Sequence, residues 1–218
     1  MTGKTHLAGG VAAAALLQAG HLLPEISRYI PSGIVTLYGV VTPVVLPGLI
    51  VSCVAALLPD IDEPQSLISN SPNALRKKLG KGRKPAERAA HQSAGIVLRL
   101  ANVLTRMLAQ IVRLLAGGHR AATHFLFIAA MLTLGAWFLG QAIGFPSMWM
   151  WFAAGYLSHL VLDMMTPSGL SILWPVSRGD WHLLPSFMRI QTGGGGDAAV
   201  RVFLLTAAAG LFALTYGR

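Results

Sequence analysis

His159 and Asp163 stand four residues apart in the apolar run His159-Leu160-Val161-Leu162-Asp163. On a helix that spacing stacks both side chains on one face. An acid so close to hydrocarbon is costly unless paired or metal-bound. The pair therefore marks either a metal site or a His–Asp hydrogen bond that locks helix packing. Three further segments carry residues of the same chemistry: Thr5-His6, Asp60-Ile61-Asp62, and His119-Arg120-Ala121-Ala122-Thr123-His124. Asp60 and Asp62 lie between Pro59 and Pro64, which disfavour helix, and in an extended segment residues two apart point to the same side. Both carboxylates can then face one cation or a pair of cations; the alternative is an Asp-Ile-Asp run that caps and solubilises a helix exit. His119 and His124 would be about 140° apart on a regular helix, so the sequence predicts His119 in a non-helical lead-in if both serve one centre. Arg120 carries the planar fork that recognises phosphate oxygens. His6 gains weight only in company with the others.

The donor set is imidazole and carboxylate without thiolate. Cys53 is the single cysteine, which excludes an intrachain disulfide or a Cys-based zinc site and reads as a small apolar packing residue. Such donors suit zinc, manganese or iron better than magnesium or calcium. The seven candidates His6, Asp60, Asp62, His119, His124, His159 and Asp163 exceed the roughly four ligands of one zinc. One to two or more divalent ions are expected, zinc foremost, and two-metal sites typically act on phosphate esters. His21, His91 and His182 fall outside the cluster by position.

These residues need elements to hold them. Spans of about 20 apolar residues are predicted at 34–58, kinked by Pro43 and Pro47, then at 125–144, 148–165 and 198–216. A Phe145-Pro146-Ser147 turn joins the middle pair into a hairpin, and Thr166-Pro167-Ser168-Gly169 ends the second of them. The stretch 7–23 is shorter and interrupted by Gln18 and His21; it reads as a retained helix, with a signal peptide as the other reading. Gly193 to Gly196 is expected to be a tether before the last span. Between Ala86 and Ala116 the pattern is helical, with Arg99, Arg106 and Arg113 on one stripe. That suits an interfacial basic helix meeting anionic headgroups, or a bundle helix with one solvated edge. Ser66 to Pro85 reads as a loop.

Composition agrees. Of 218 residues 54% are hydrophobic and only 11% charged, with mean hydropathy +0.59, against about a quarter charged in soluble domains. The net charge of +9 is concentrated: 11 of 17 Lys and Arg lie between Arg76 and Arg120, against Glu87 alone. Lipid headgroups rather than nucleic acid are the expected partner, and the basic stretch is assigned to the cytoplasmic side. Threading the spans from there brings His6, Asp60, Asp62, His119, His124, His159 and Asp163 to that same side, although none of them was used to set the orientation.

The chain resembles the YdjM-type family of bacterial inner-membrane proteins, described as membrane-bound metal-dependent hydrolases. The resemblance rests on Thr5-His6 with Gly9, Leu58-Pro59-Asp60-Ile61-Asp62-Glu63-Pro64, His119 to His124, Gly155 to Asp163, Thr166-Pro167-Ser168-Gly169 and Trp174-Pro175, in the family's order. Glu63, Ala121 and Phe125 depart from the residues common there. Through a more distant similarity to zinc-dependent phospholipase C and P1-type nucleases, it implies that His6, Asp60, His119, His159 and Asp163 hold metal, with Asp62 and His124 close by.

The expectation is an all-α polytopic protein of about five spans plus a basic interfacial helix. It forms one integral-membrane domain, 1–218, containing a basic cytoplasmic loop and helix at 66–118. In a bacterial inner membrane it would hydrolyse a phosphoester of a lipid or lipid-linked substrate at the cytoplasmic face, Arg120 gripping phosphate oxygen and Asp62 taking a proton. The loop 167–192, with Trp174 and Trp181, would rest at headgroup level. The competing class is a non-catalytic metal-binding membrane protein, a transporter or lipid-remodelling factor. A transporter should place its ionisable residues nearer the bilayer midplane.

Overall fold

The computed structural model describes residues 1–37, 39–61, 123–177 and 179–217. The chain divides into two units, Met1–Pro59 with Thr123–Arg218, and Asp60–Ala122. Of the second unit only Asp60 and Ile61 are described, so Asp62, His119, Arg120, the loop expected at 66–85 and the basic helix expected at 86–116 lie outside the described residues.

The first unit is mostly helical. Helix α1 runs Gly3–Ala19 and continues as a 3-10 turn, Gly20–Leu22; α2 is the single turn Pro24–Ser27. Strands β1 (Ile34–Leu37) and β2 (Val40–Pro43) form an antiparallel hairpin in the register Ile34 to Pro43 and Leu37 to Val40. Helix α3 is Val45–Ala55, followed by a 3-10 turn at Leu58–Asp60. Helices α4 (Leu126–Ile143), α5 (Met148–Met164) and α6 (Gly195–Tyr216) complete the unit, with a 3-10 turn at Ser186–Met188 before α6.

The single span expected at 34–58 is thus replaced by a hairpin and a helix of 11 residues. The reason lies in the side chains. Val35 faces Thr42 and Thr36 faces Val41, and with Ile34 and Val40 these make six β-branched residues, stiff at χ1; Gly39 takes the left-handed φ of +83° that the connection needs. Only after Pro43 does the helix start, with Pro47 in its first turn, where a missing N–H costs nothing. Val35 and Val44 pack with Ala14, Phe145 and Trp151 into one buried apolar cluster.

The expected hairpin at 145–147 is present. Gly144 closes α4 in the left-handed conformation, φ +78°, and the Phe145 N–H donates to Gly140 O at 2.7 Å. Helix α1 begins at Gly3 rather than Leu7, placing His6 inside the helix. Helix α6 begins at Gly195, so half of the expected glycine tether is its first turn.

Helices α1, α3 and α5 meet at small residues. Ser52 on α3 donates its hydroxyl to Gly10 O at 2.8 Å, and a Cβ on Gly155 of α5 would overlap the Ser52 carbonyl. Close backbone approach of this kind is how helices associate where lipid removes the hydrophobic drive. Among the described helices, α4 and α6 are long and apolar enough to cross a membrane. Helices α1 and α5, each 17 residues, fall just short of that length.

Candidate metal centre

His159 and Asp163 lie on the buried face of α5, one turn apart, as their spacing requires. Two turns of the chain fix that end of the helix. The Thr166 hydroxyl donates to Asp163 O at 2.7 Å, and backbone N–H groups of Leu183 and Ile190 reach Met164 O and Met165 O at 2.8 and 3.0 Å. The last carbonyls of α5, which have no partner within the helix, are thereby satisfied by the loop that folds back over them.

His6 comes from the second turn of α1. Its ring stacks on that of His159 with centroids 3.7 Å apart and planes 16° from parallel. His124 comes from the turn before α4, Thr123 to Phe125, where Phe125 is still extended. So His124 itself is non-helical; His119, to which the sequence assigned that position, lies outside the described residues. The turn is held from several sides. Tyr156 on α5 donates its hydroxyl to Thr123 O, the Leu126 N–H donates to Ile172 O at 3.0 Å, and Phe125 stacks on Trp174 at 4.8 Å.

Three imidazole Nε2 atoms surround one carboxylate. Asp163 Oδ2 is 3.4 Å from His159 Nε2 and 3.5 Å from His124 Nε2, while Oδ1 is 3.2 Å from His6 Nε2. His124 Nε2 and His159 Nε2 are 3.3 Å apart. Asp163 Oδ1 also accepts from the α-amino group of Met1 at 2.5 Å. All four side chains are buried. Asp60, at the end of the 3-10 turn Leu58–Asp60, completes a set: one ligand atom each from Asp60, His124, His159 and Asp163 lies within 4.8 Å of all the others.

The donor chemistry fits a cation. His159 Nδ1 is 2.8 Å from Ala56 O; a carbonyl only accepts, so Nδ1 carries a proton, which leaves Nε2 as the ring nitrogen that would offer a lone pair to a cation in the cluster. A backbone carbonyl behind an imidazole is the usual arrangement that orients a metal-binding histidine. Zinc–nitrogen bonds of about 2.0–2.1 Å in tetrahedral array imply ligand–ligand edges of about 3.3–3.4 Å. The separations among His124 Nε2, His159 Nε2 and Asp163 Oδ2, 3.3 to 3.5 Å, match those edges.

Among the described residues, the other two histidines, His21 and His182, have backbone carbonyls as partners instead. His21 Nε2 approaches Pro31 O at 3.4 Å and His182 Nε2 approaches Pro167 O at 3.1 Å.

Two residues that spacing did not single out support the cluster. Tyr156 is one, through Thr123. The other is Asp197 in the first turn of α6, a buried carboxylate whose Oδ2 accepts from Gly193 N at 3.1 Å and whose Oδ1 is 3.5 Å from Thr2 N. Thr2 and Thr5 hydroxyls are 3.0 Å apart, and Thr5 Oγ1 reaches Asp197 O at 3.4 Å. The start of α1, and with it His6, is tied to the start of α6. An acid at the rim of an apolar segment was the available signal.

The model of the family described as YdjM inner membrane protein matches residues 1–217. Among curated proteins, the inner membrane protein YdjM of Escherichia coli (strain K12) is 28% identical over 140 residues, covering 60% of this chain and 49% of that protein. The protein of the same name from Shigella flexneri matches to the same extent. The chain spans about half the length of these curated relatives. No solved structure matches it.

Proposed function

We propose, for a chain that belongs to the YdjM inner membrane protein family, that it is a metal-dependent hydrolase cleaving phosphoester bonds of a lipid or lipid-linked substrate at the cytoplasmic face of the membrane. The observation that carries this reading is the convergence of His6, His124 and His159 on Asp163 inside an otherwise apolar bundle. Asp60, His124, His159 and Asp163, with His6 adjoining, would hold the cation, and zinc suits them best. Such a cation supplies Lewis acidity toward a phosphoryl oxygen and lowers the pKa of water to about 7.

The residues of the chain do the positioning. Ala56 O fixes the His159 tautomer, Tyr156 holds the turn that presents His124, and Asp197 steadies the segment that carries His6. Exposed Trp174 and Trp181 in the loop after α5 suit an interface at headgroup depth. From the sequence, Arg120 would clamp phosphate oxygen and Asp62 would accept a proton. Multi-pass topology with the centre toward the cytoplasm belongs to the same proposal. Reporter fusions after residues 75 and 180 should be active in the cytoplasm, and those after 29 and 146 outside it.

Elemental analysis of detergent-purified protein, joined to a screen of phospholipids and phosphodiesters, tests the activity. Bound zinc with turnover of at least one phosphoester supports it; bound zinc with no turnover of any selects a non-catalytic metal centre. That second reading is favoured by one observation, the burial of His6, His124, His159 and Asp163 against one another, as expected of a metal or ion pair that only fastens helices.

A further inference from the structure

The chain between α5 and α6 forms two closed loops. The first, Leu170 to Trp181, is shut at its base by paired backbone hydrogen bonds, Leu170 N–H to Trp181 O at 3.1 Å and Trp181 N–H to Leu170 O at 2.8 Å. The Ser171 hydroxyl on Asp180 Oδ1, at 2.7 Å, reinforces it. The second, Leu183 to Ile190, is shut by the N–H groups of those two residues on Met164 O and Met165 O. Bases and tips differ in kind. At the base, Leu170 and Ile172 pack with Tyr156 and Leu160 of α5. At the tips stand Val176, 93% exposed, and Phe187, 85% exposed, the two most exposed large hydrophobic residues described; Trp174, Trp181, Leu183 and Met188 near them in sequence are exposed as well. Turns that face water carry Gly, Pro, Asn, Asp and Ser for good physical reasons, and an ordered loop that holds out valine and phenylalanine is built for another medium. Continuity says which. These loops join the last turn of α5 to the first turn of α6, an apolar helix long enough to cross a membrane in a chain of an inner membrane protein family.

We propose that both tips insert into the headgroup–acyl boundary of the bilayer that carries α6, and that this contact with phospholipid keeps the metal centre assembled. The proposal rests on the metal-centre part of the reading above and is independent of hydrolysis. Tryptophan favours that boundary, and Arg189 in the second loop adds a cation at the level of the phosphates. The bases carry the coupling. Leu183 and Ile190 bond the carbonyls of the two residues that follow Asp163, and the Thr166 hydroxyl bonds Asp163 O itself. Ile172 O holds the Leu126 N–H and Trp174 stacks on Phe125, so the two residues that follow His124 are held by the first loop. Two of the four grouped ligand candidates, His124 and Asp163, are thus fastened to the segment whose tips meet lipid. In water, the drive to bury Val176 and Phe187 would favour other packings of the loops, and those break the contacts at the bases. Lipid removes that drive.

The test uses the full chain in nanodiscs of phosphatidylcholine and phosphatidylglycerol, carrying Cys53→Ser and a bimane label on Val176→Cys or Phe187→Cys. The expected result is quenching by phospholipids with a nitroxide on the headgroup or high on the acyl chain, and little quenching by iodide. Iodide quenching without nitroxide quenching would put the tips in water, and quenching by neither would put them under protein; both overturn the proposal. Zinc titration of the unlabelled chain in the same nanodiscs reads the coupling. Val176→Ser combined with Phe187→Ser should weaken zinc binding about tenfold, as loss of a group that orients metal ligands does. Val202→Ser, the same kind of loss on the outward side of α6, should leave zinc binding unchanged. Val176→Ser alone, expected to weaken binding about threefold, decides the matter if the double variant does not fold. Equal zinc binding by the parent and these loop variants overturns the coupling. A parent that binds no zinc rejects the metal centre and the coupling with it, while nitroxide quenching at the tips would still establish the lipid contact.

Discussion

Helices α1 and α6 pack against each other yet treat the same two kinds of side chain in opposite ways. Helix α1 turns Thr5, His6 and Gln18 fully inward among alanines and glycines. In α6 the apolar residues face outward: Phe203 is 68% exposed, and only 6% of its apolar window is buried. A water-soluble protein buries its large apolar residues and shows its charges. Here polar groups are inside, where they find one another, and large hydrophobes are outside, where only lipid would welcome them. The difference teaches that α1 is a wall of the polar cluster and α6 an apolar buttress, joined by polar contacts of Asp197 with Thr2 and Thr5 and of Tyr216 with Gln18.

The strongest way to break the packed side of this contrast is Gly155→Leu. Its side chain would drive into the Ser52 backbone, and overpacking of this kind costs typically about 1–3 kcal/mol and sometimes more. Loss of monodisperse protein in detergent is the expected outcome; a parental melting temperature would show that α3 and α5 are not held this closely. On the outward side Phe203→Arg should cost roughly 2.5–3.5 kcal/mol of insertion if α6 faces lipid, whereas Phe203→Leu should be silent. Membrane fractionation and protease protection of both variants read this, and equal behaviour of the two would return α6 to water.

Tyr156→Phe sharpens the link between wall and site. It removes the hydrogen bond to Thr123 O, worth about 1 kcal/mol. Because it loosens the turn bearing His124, zinc affinity should fall roughly tenfold, as for other groups that orient metal-binding side chains. Unchanged zinc affinity would detach His124 from the centre. The smallest effect is expected on the buttress. Thr206 donates only to Val202 O and Phe203 O of its own helix, so Thr206→Val should alter stability by no more than about 0.5 kcal/mol.

The sequence was most legible where a local rule was sufficient. Four-residue spacing put His159 and Asp163 on one face, and a Gly-Phe-Pro-Ser break marked the α4–α5 hairpin. His6, Asp60, His124, His159 and Asp163 group by residue type and by position near the ends of apolar segments, and they do come together. The threading that groups them nevertheless runs through a span at 34–58 that the structure replaces with a hairpin and a short helix. What misled was apolarity without period. The stretch 34–58 is hydrophobic throughout, and its β-branched first half pairs as a hairpin while its second half coils. Asp197 and Tyr156 escaped because each acts on backbone distant in sequence, Asp197 on Thr2 and Tyr156 on Thr123, and no spacing rule reaches that far.

The metal centre is tested most directly by a zinc titration of the purified chain and of Asp163→Asn, followed by calorimetry with melting temperature measured on the same samples. The substitution keeps volume and hydrogen-bonding capacity but removes the charge around which three imidazoles gather. A centre built on Asp163 predicts a parent that binds zinc and is stabilised by it, and a variant that remains folded but binds at least a hundredfold more weakly. Equal zinc binding by the two, or a parent whose melting temperature ignores zinc while the variant unfolds, would make Asp163 a packing residue and contradict the metal centre.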